Sequence, residues 1–250
     1  MIKIEHLHKS FDDKPVLRDI SLEIRDGETL AIIGRSGSGK SVLMKNVIGL
    51  LTPNAGRVLV DDIDINDISY RRLREVRRQF GVLFQGGALF DSMDAFENVA
   101  FPLRTFTEKS EETIRDEVYE CLRLVELPDV GPKKPAELSG GMQKRVALAR
   151  AIALKPRYII YDEPTSGLDP ETSNSIDELI RTLADEMNVT SIVVTHDMHS
   201  VLSIADRAAL LHRGHLHWVG TIDELHRSDD DVLCAFVKAN EYQIGVSERV

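Results

Sequence analysis

The sequence predicts an α/β domain with a helical block inserted into it, and three observations carry that prediction. Short β-type runs alternate with helical stretches from the first residues onward. A glycine-rich turn joins one such run to a helix. Strand signals stop near residue 94 and return only after residue 154, with helical periodicity between. Hydrophobic residues make up 42% of the 250 and charged residues 29%, enough to fill a core and still dissolve.

Taken in order, β-type runs cover residues 2–7 and 16–24, and Asp26-Gly27 turns into a third over 29–34. A helical stretch follows over 40–51, stopped by Pro53. Further β-type runs lie at 57–60, 80–84, 158–161, 190–195 and 207–211, the last closing a hairpin with 215–219 across Arg213-Gly214. Inside the helical block, Ile114, Val118, Cys121, Leu122 and Val125 form one amphipathic stripe, and Met142, Val146, Ala149 and Ala153 another. The expected organisation is one domain with two lobes: a core of 1–93 and 155–227, a helical lobe of 94–154, and a short extension over 228–250.

Composition narrows the function. Mean hydropathy is −0.17, and no apolar run approaches the ~20 residues of a membrane helix. Met1-Ile2-Lys3-Ile4-Glu5-His6 alternates apolar and polar instead of opening a signal peptide. The formal net charge of −10 argues against a broad nucleic-acid-binding surface. Cys121 and Cys234 stand in no CxxC spacing, which fits a reducing compartment.

Gly34-Arg35-Ser36-Gly37-Ser38-Gly39-Lys40-Ser41 fits the phosphate-loop pattern G-x-x-x-x-G-K-[ST], after a strand and opening a helix. Glycines let backbone N–H groups converge where side chains would clash with phosphate oxygens, and the helix start adds its positive dipole end. Lys40 is placed for the β- and γ-phosphates of a nucleotide and Ser41 for Mg²⁺, which leaves kinases, GTPases and many ATPases open. The apolar run ending in Asp162-Glu163 delivers two carboxylates at the C-terminal end of a strand, where open α/β sheets bind ligands. Asp162 suits Mg²⁺, and Glu163 suits polarisation of the attacking water.

A second helix start, Leu138-Ser139-Gly140-Gly141-Met142-Gln143-Lys144-Arg145, has the features of an anion site. Within a chain that already has a phosphate loop, it makes sense as the completion of a partner's site. With this step the sequence resembles, over nearly its whole length, the nucleotide-binding subunits of ABC transporters. That resemblance implies a P-loop NTPase fold of the ABC type, with an antiparallel β subdomain and an inserted α-helical subdomain. It makes the chain an ATPase and assigns Gln85 to the Q-loop, which senses γ-phosphate and Mg²⁺. Ser166-Gly167-Leu168-Asp169 matches the D-loop, His196 the switch histidine, and Phe11 the ring on adenine. It further implies a head-to-tail dimer with two ATP molecules, each also touched by Ser139, Gly140, Gly141 and Asp169 of the other copy.

Gly86-Gly87-Ala88-Leu89-Phe90, followed by Phe96-Glu97-Asn98-Val99-Ala100-Phe101-Pro102-Leu103-Arg104, is similar to the ATPase of Mla-type lipid-asymmetry transporters, grouped with the Mce-associated systems. Met142 fits that group as well. The implied role is phospholipid movement between inner and outer membrane, from the cytoplasmic face of the inner membrane. The implied partners are an integral permease, an Mce-type lipid-binding protein and a small cytosolic regulatory subunit. Alternatives are the ATPase of another small-molecule transporter or a permease-free ABC ATPase of the iron–sulfur assembly type. ABC proteins of DNA repair carry long coiled coils and those of translation two cassettes; neither feature is present. His212, His215 and His217 read as a surface hairpin, not a metal site. Arg71, Arg72, Arg74, Arg77 and Arg78 read as the solvated face of a short helix around Leu73 and Val76, and Cys121 as a small apolar core residue.

Overall fold

The computed structural model describes residues 1–240, which divide into two compact units at Arg77/Arg78 and at Thr190/Ser191. Residues 241–250, the end of the expected 228–250 extension, lie outside the described residues. No helix among the described residues is long and apolar enough to cross a membrane.

The first unit holds an antiparallel sheet of order β2-β1-β4-β5, built from β1 (Ile2–Phe11), β2 (Lys14–Ile24), β4 (Ala55–Val60) and β5 (Ile63–Asp64). Its burial alternates, as a sheet with one covered face requires: Ile2, Ile4, Leu17, Ile20, Val58 and Val60 point inward. The alternation slips between Ile4 and Leu7, where His6 adopts φ 47° and the register with β2 shifts. That bulge explains why the run is longer than the expected 2–7: pairing resumes after the extra residue.

The same unit contains a second set of strands in the order β10-β9-β3-β8. These are β3 (Thr29–Ile33), β8 (Thr190–Thr195), β9 (Arg207–His212) and β10 (His215–Thr221). β3 runs parallel to both β8 and β9, with Ile33 opposite Thr195 and Leu210. Every residue of β3 and β8 is buried, as expected of parallel strands covered on both faces. Helices α7 (Met198–Ile204), α8 (Ile222–Arg227) and α9 (Asp231–Ala239) complete the core, with Met198, Val201, Leu225, Leu233 and Phe236 packed on Ile33 and Leu210.

Helix α1 (Lys40–Val47) is shorter than the 40–51 expectation. Gly49 takes φ 68° and ends it before Pro53 can act. The arginine-rich stretch forms α2 (Tyr70–Arg77), buried at Val76. It is not solely a solvated face. Arg77 donates to the carbonyls of Ile48 (3.1 Å) and Gly49 (2.5 Å) at the end of α1, while Arg72 pairs with Glu75. On β10, His217 lies 3.0 Å from Asp230, the N-cap of α9.

The second unit pairs β6 (Phe80–Leu83) with β7 (Tyr158–Asp162) in parallel, Leu83 opposite Tyr161. Three helices pack together beside them: α3 (Ala95–Phe106), α4 (Glu111–Leu124) and α5 (Gly140–Ile152). Asp94 and Glu97 close a capping box at the start of α3. The α4 stripe of Ile114, Val118, Cys121 and Leu122 is buried. In α5 the consecutive residues Val146, Ala147, Leu148 and Ala149 are all buried, so the expected single stripe is a helix enclosed on several sides. The unit closes with the 18-residue α6 (Pro170–Met187), started by the Asp169 cap and ended by Asn188 at φ 48°.

Candidate functional site

The phosphate loop leaves β3 after Ile33 and enters α1 at Lys40. Gly34 has φ 152°, and a Cβ there would lie 2.4 Å from the Leu211 carbonyl oxygen and 2.7 Å from Ser38 Oγ. The Ser38 side chain therefore points under the loop, where its buried Oγ has no hydrogen-bond partner. What Ser38 offers the open side is main chain. At Gly37, φ 78°, an added Cβ would meet nothing within 4 Å. Gly39 is the N-cap of α1 and supplies no side-chain cap, and the first turn contains no acidic residue. The helix start thus keeps N–H donors for an acceptor other than a cap. Lys40 is buried and donates to the Gly34 carbonyl at 2.7 Å, folding back over its own loop. A glycine cradle open at Gly37, an uncapped helix start and a lysine suit a polyphosphate.

β8 ends in register with β3, so His196 leaves the sheet beside the point where the phosphate loop begins. His196 is exposed, and Asp197 after it caps α7 by accepting from His199 N at 2.8 Å. Phe11, at the end of β1, is 42% exposed with Lys9 Nζ 5.2 Å from its ring centroid.

In the second unit, Gln85 and Glu163 occupy matching places, each two residues beyond the paired Leu83 and Tyr161. Gln85 Nε2 lies 3.5 Å from Ser166 Oγ. Asp162 ends β7 half-buried, and Glu163 takes φ 50°, a left-handed backbone without a glycine. Within this unit, the Gln85 amide and Asp162 carboxylate oxygens are hard donor types of the kind Mg²⁺ takes; in the first unit, the Ser41 hydroxyl is another.

The α5 start separates the roles of its two glycines. Ser139 caps it by accepting from Met142 N at 3.3 Å. A Cβ on Gly141 would lie 2.5 Å from Thr172 Cγ2, so packing of α5 on α6 accounts for that glycine. A Cβ on Gly140 would make only an ordinary 3.5 Å contact with Leu168. No contact among the described residues requires glycine there. Asp169 accepts from Thr172 N (2.9 Å) and Thr172 Oγ1 (2.7 Å), and these bonds hold its carboxyl below the usual range.

Sequence reasoning missed the residues that support these loops. Asn98, fully buried, bonds both the N–H and the C=O of Phe90 (2.8 and 3.2 Å). Arg150 donates to the carbonyls of Gly87 and Ala88, both at 2.8 Å, and lies 5.7 Å from the Phe90 ring centroid. Lys144 donates to the main-chain oxygens of Gln85 and Glu163. Polar residues on otherwise apolar helix faces were the available signal.

A family model described as ABC transporter matches residues 17–166. The chain belongs to the ABC transporter family. As an ATP-binding domain of that family it is an ATPase. It is 43% identical over 248 residues to the probable ribonucleotide transport ATP-binding protein mkl of Mycobacterium leprae, covering 99% of this chain and 72% of that one. It is 42% identical over 238 residues to the intermembrane phospholipid transport system ATP-binding protein MlaF of Haemophilus influenzae, covering 95% and 90%. Among solved structures, the dimeric post-hydrolysis cassette MJ0796 bound to ADP and Pi superposes with a TM-score of 0.81 at 35% identity, covering 89% of this chain and 99% of that one. The ABC fold expectation, an α/β cassette with an antiparallel sheet and a helical part, therefore holds.

Proposed function

We propose that this ABC chain is the ATP-driven subunit of a transporter that moves phospholipid between inner and outer membrane, working as a head-to-tail pair under an integral permease. It would sit on the cytoplasmic face of the inner membrane, with an Mce-type lipid-binding protein and a small regulatory subunit as further partners. Likeness to MlaF along nearly the full length of both chains supports the cargo class. The observation that carries permease docking is the aromatic pair Phe90 and Phe101. Their rings are 4.9 Å apart and roughly two-fifths exposed, an anchor of the kind that dominates protein interfaces. Asn98 and Arg150 hold the backbone beneath it.

In this reading Lys40 and the main chain of Arg35, Ser36, Gly37, Ser38 and Gly39 hold the phosphates, and Phe11 stacks on adenine. Ser41, Gln85 and Asp162 would hold Mg²⁺, which supplies charge neutralisation on the phosphate oxygens. Glu163 takes a proton from the attacking water, and His196 contacts the γ-phosphate. Ser139, Gly140, Gly141 and Asp169 face the partner's nucleotide. Gly140, which no contact among the described residues explains, supports that last role.

The experiment is Phe90→Ala in cells carrying the intact transporter. The purified variant should bind ATP and unfold like wild type, yet lose its co-purifying permease and fail to restore the outer-membrane lipid barrier. A well-folded variant that keeps both would remove the coupling surface. Lipid analysis of the purified wild-type complex decides the cargo: ribonucleotide without phospholipid would favour the activity named for mkl.

A further inference from the structure

Helix α5 carries a buried cation that the nucleotide-site residues do not account for. Lys144 is 6% exposed, among Gly141, Val146 and Ala147. Its ammonium donates to Gln85 O and, at 3.3 Å, to Glu163 O. Burial pushes its pKa down, and the nearby Asp162 and Glu163 charges push it back up. Two carbonyl acceptors are thin recompense for desolvating an ammonium, and an apolar side chain of equal length would fill the space at lower cost. Stability alone does not explain the lysine.

Its two acceptors do. Gln85 and Glu163 stand at equivalent distances past the ends of neighbouring strands, and one ammonium reaches the main chain of both. Glu163 also holds a left-handed backbone. Such a conformation persists only where its surroundings fix it, and the Lys144 bond to its carbonyl is one such fixture. Both bonds go to main-chain oxygens, so the lysine can hold the base in place without becoming its proton partner.

We propose that Lys144 is a positioning residue for hydrolysis, tying the Gln85 segment to Glu163 so that displacement of one is felt by the other. The inference rests on Glu163 acting as the base, so the experiment carries a separate arm for that assignment.

Steady-state ATPase and ATP binding are measured on the purified full chain as wild type, Lys144→Met, Lys144→Gln and Glu163→Gln. Misplacement of a catalytic group by about 1 Å costs on the order of 10²-fold. Lys144→Met should therefore lower kcat by about 10- to 100-fold, with KM and ATP affinity within about twofold. Lys144→Gln, which keeps an N–H donor, should recover most of the loss. Hydrogen exchange should quicken together at the amides after Gln85 and after Glu163 in Lys144→Met, while the centre of α5 stays protected. Wild-type kcat in folded Lys144→Met, or equal losses in the Met and Gln variants, would overturn the proposal. Should Lys144→Met not fold, Lys144→Ala, which also lacks the donor, takes its place with the same readouts: lowered kcat at unchanged KM with faster exchange at both segments supports the tether, and faster exchange with wild-type kcat overturns it. Wild-type turnover by Glu163→Gln would instead sink the base assignment and leave the tether to be judged by exchange.

Discussion

The phosphate loop offers a test in which two glycines of positive φ should behave differently. At Gly34 an added Cβ would approach the Leu211 carbonyl oxygen to 2.4 Å, nearly 1 Å inside an ordinary contact, and that atom belongs to the backbone of β9. At Gly37 the added Cβ would meet nothing within 4 Å. Both residues have positive φ, 152° at Gly34 and 78° at Gly37, so alanine is strained by about 1–2 kcal/mol at Gly37 and by at least as much at Gly34. Gly34→Ala adds overpacking of roughly 1–3 kcal/mol. Urea unfolding of the nucleotide-free protein should show Gly34→Ala destabilised by about 2–5 kcal/mol and Gly37→Ala by about 1–2. Calorimetric ATP binding on the same samples should show Gly37→Ala losing more affinity than its stability loss accounts for, because its new methyl lies where no protein atom does. Equal destabilisation of the two variants, or a Gly34→Ala protein as stable as wild type, would refute the packing argument.

Arg207 and Glu28 form a nearly buried pair at 2.9 Å, and Glu28 also accepts from Arg25 N at 2.7 Å. Arg207→Ala should lower stability by about 3–5 kcal/mol by stranding the carboxylate, and adding Glu28→Ala should recover part of it; a urea midpoint within error of wild type would contradict this. Burial, with Glu120 and Glu117 adding to it, pushes the Cys121 thiol up to about 12. The folded protein should therefore resist iodoacetamide at pH 8 and react only after unfolding, with labelling read by mass spectrometry. Above the thiol's ordinary pKa of 9.0 the unfolded chain ionises first, so this group costs stability as pH rises and nothing below it. Rapid native alkylation of Cys121 would disprove its burial.

The strands and the phosphate loop were legible in sequence because their signals are local: a buried run, a glycine turn and a helix start follow one another without a gap. The same locality limited the reading. The sequence carries α1 to Leu51, just before Pro53, whereas Gly49 ends the helix sooner. Helix α6 went unassigned although Asp169-Pro170 opens it and Ile176, Leu179, Ile180 and Leu183 repeat on one face, because Asp169 was absorbed into the D-loop motif. Arg77 looked like one member of a solvated run, and only the fold brings it to the carbonyls of Ile48 and Gly49. Lys144, Asn98 and Arg150 act on main-chain atoms 59, 8 and 63 residues away. Backbone acceptors carry no residue identity, so the sequence marks only a polar side chain on an otherwise apolar helix face and not the atoms it holds.

That Arg77 contact gives α1 an electrical asymmetry. A helix of eight residues is only about 12 Å long, so its two poles partly cancel at short range. With a guanidinium seated on its final carbonyls, the negative pole is compensated, and the field at Lys40 is closer to that of a lone positive end. An anion bound at this helix start would therefore feel both ends of the helix: the open N–H groups beside Gly39, and a side chain from the following helix seated at the opposite end from Lys40.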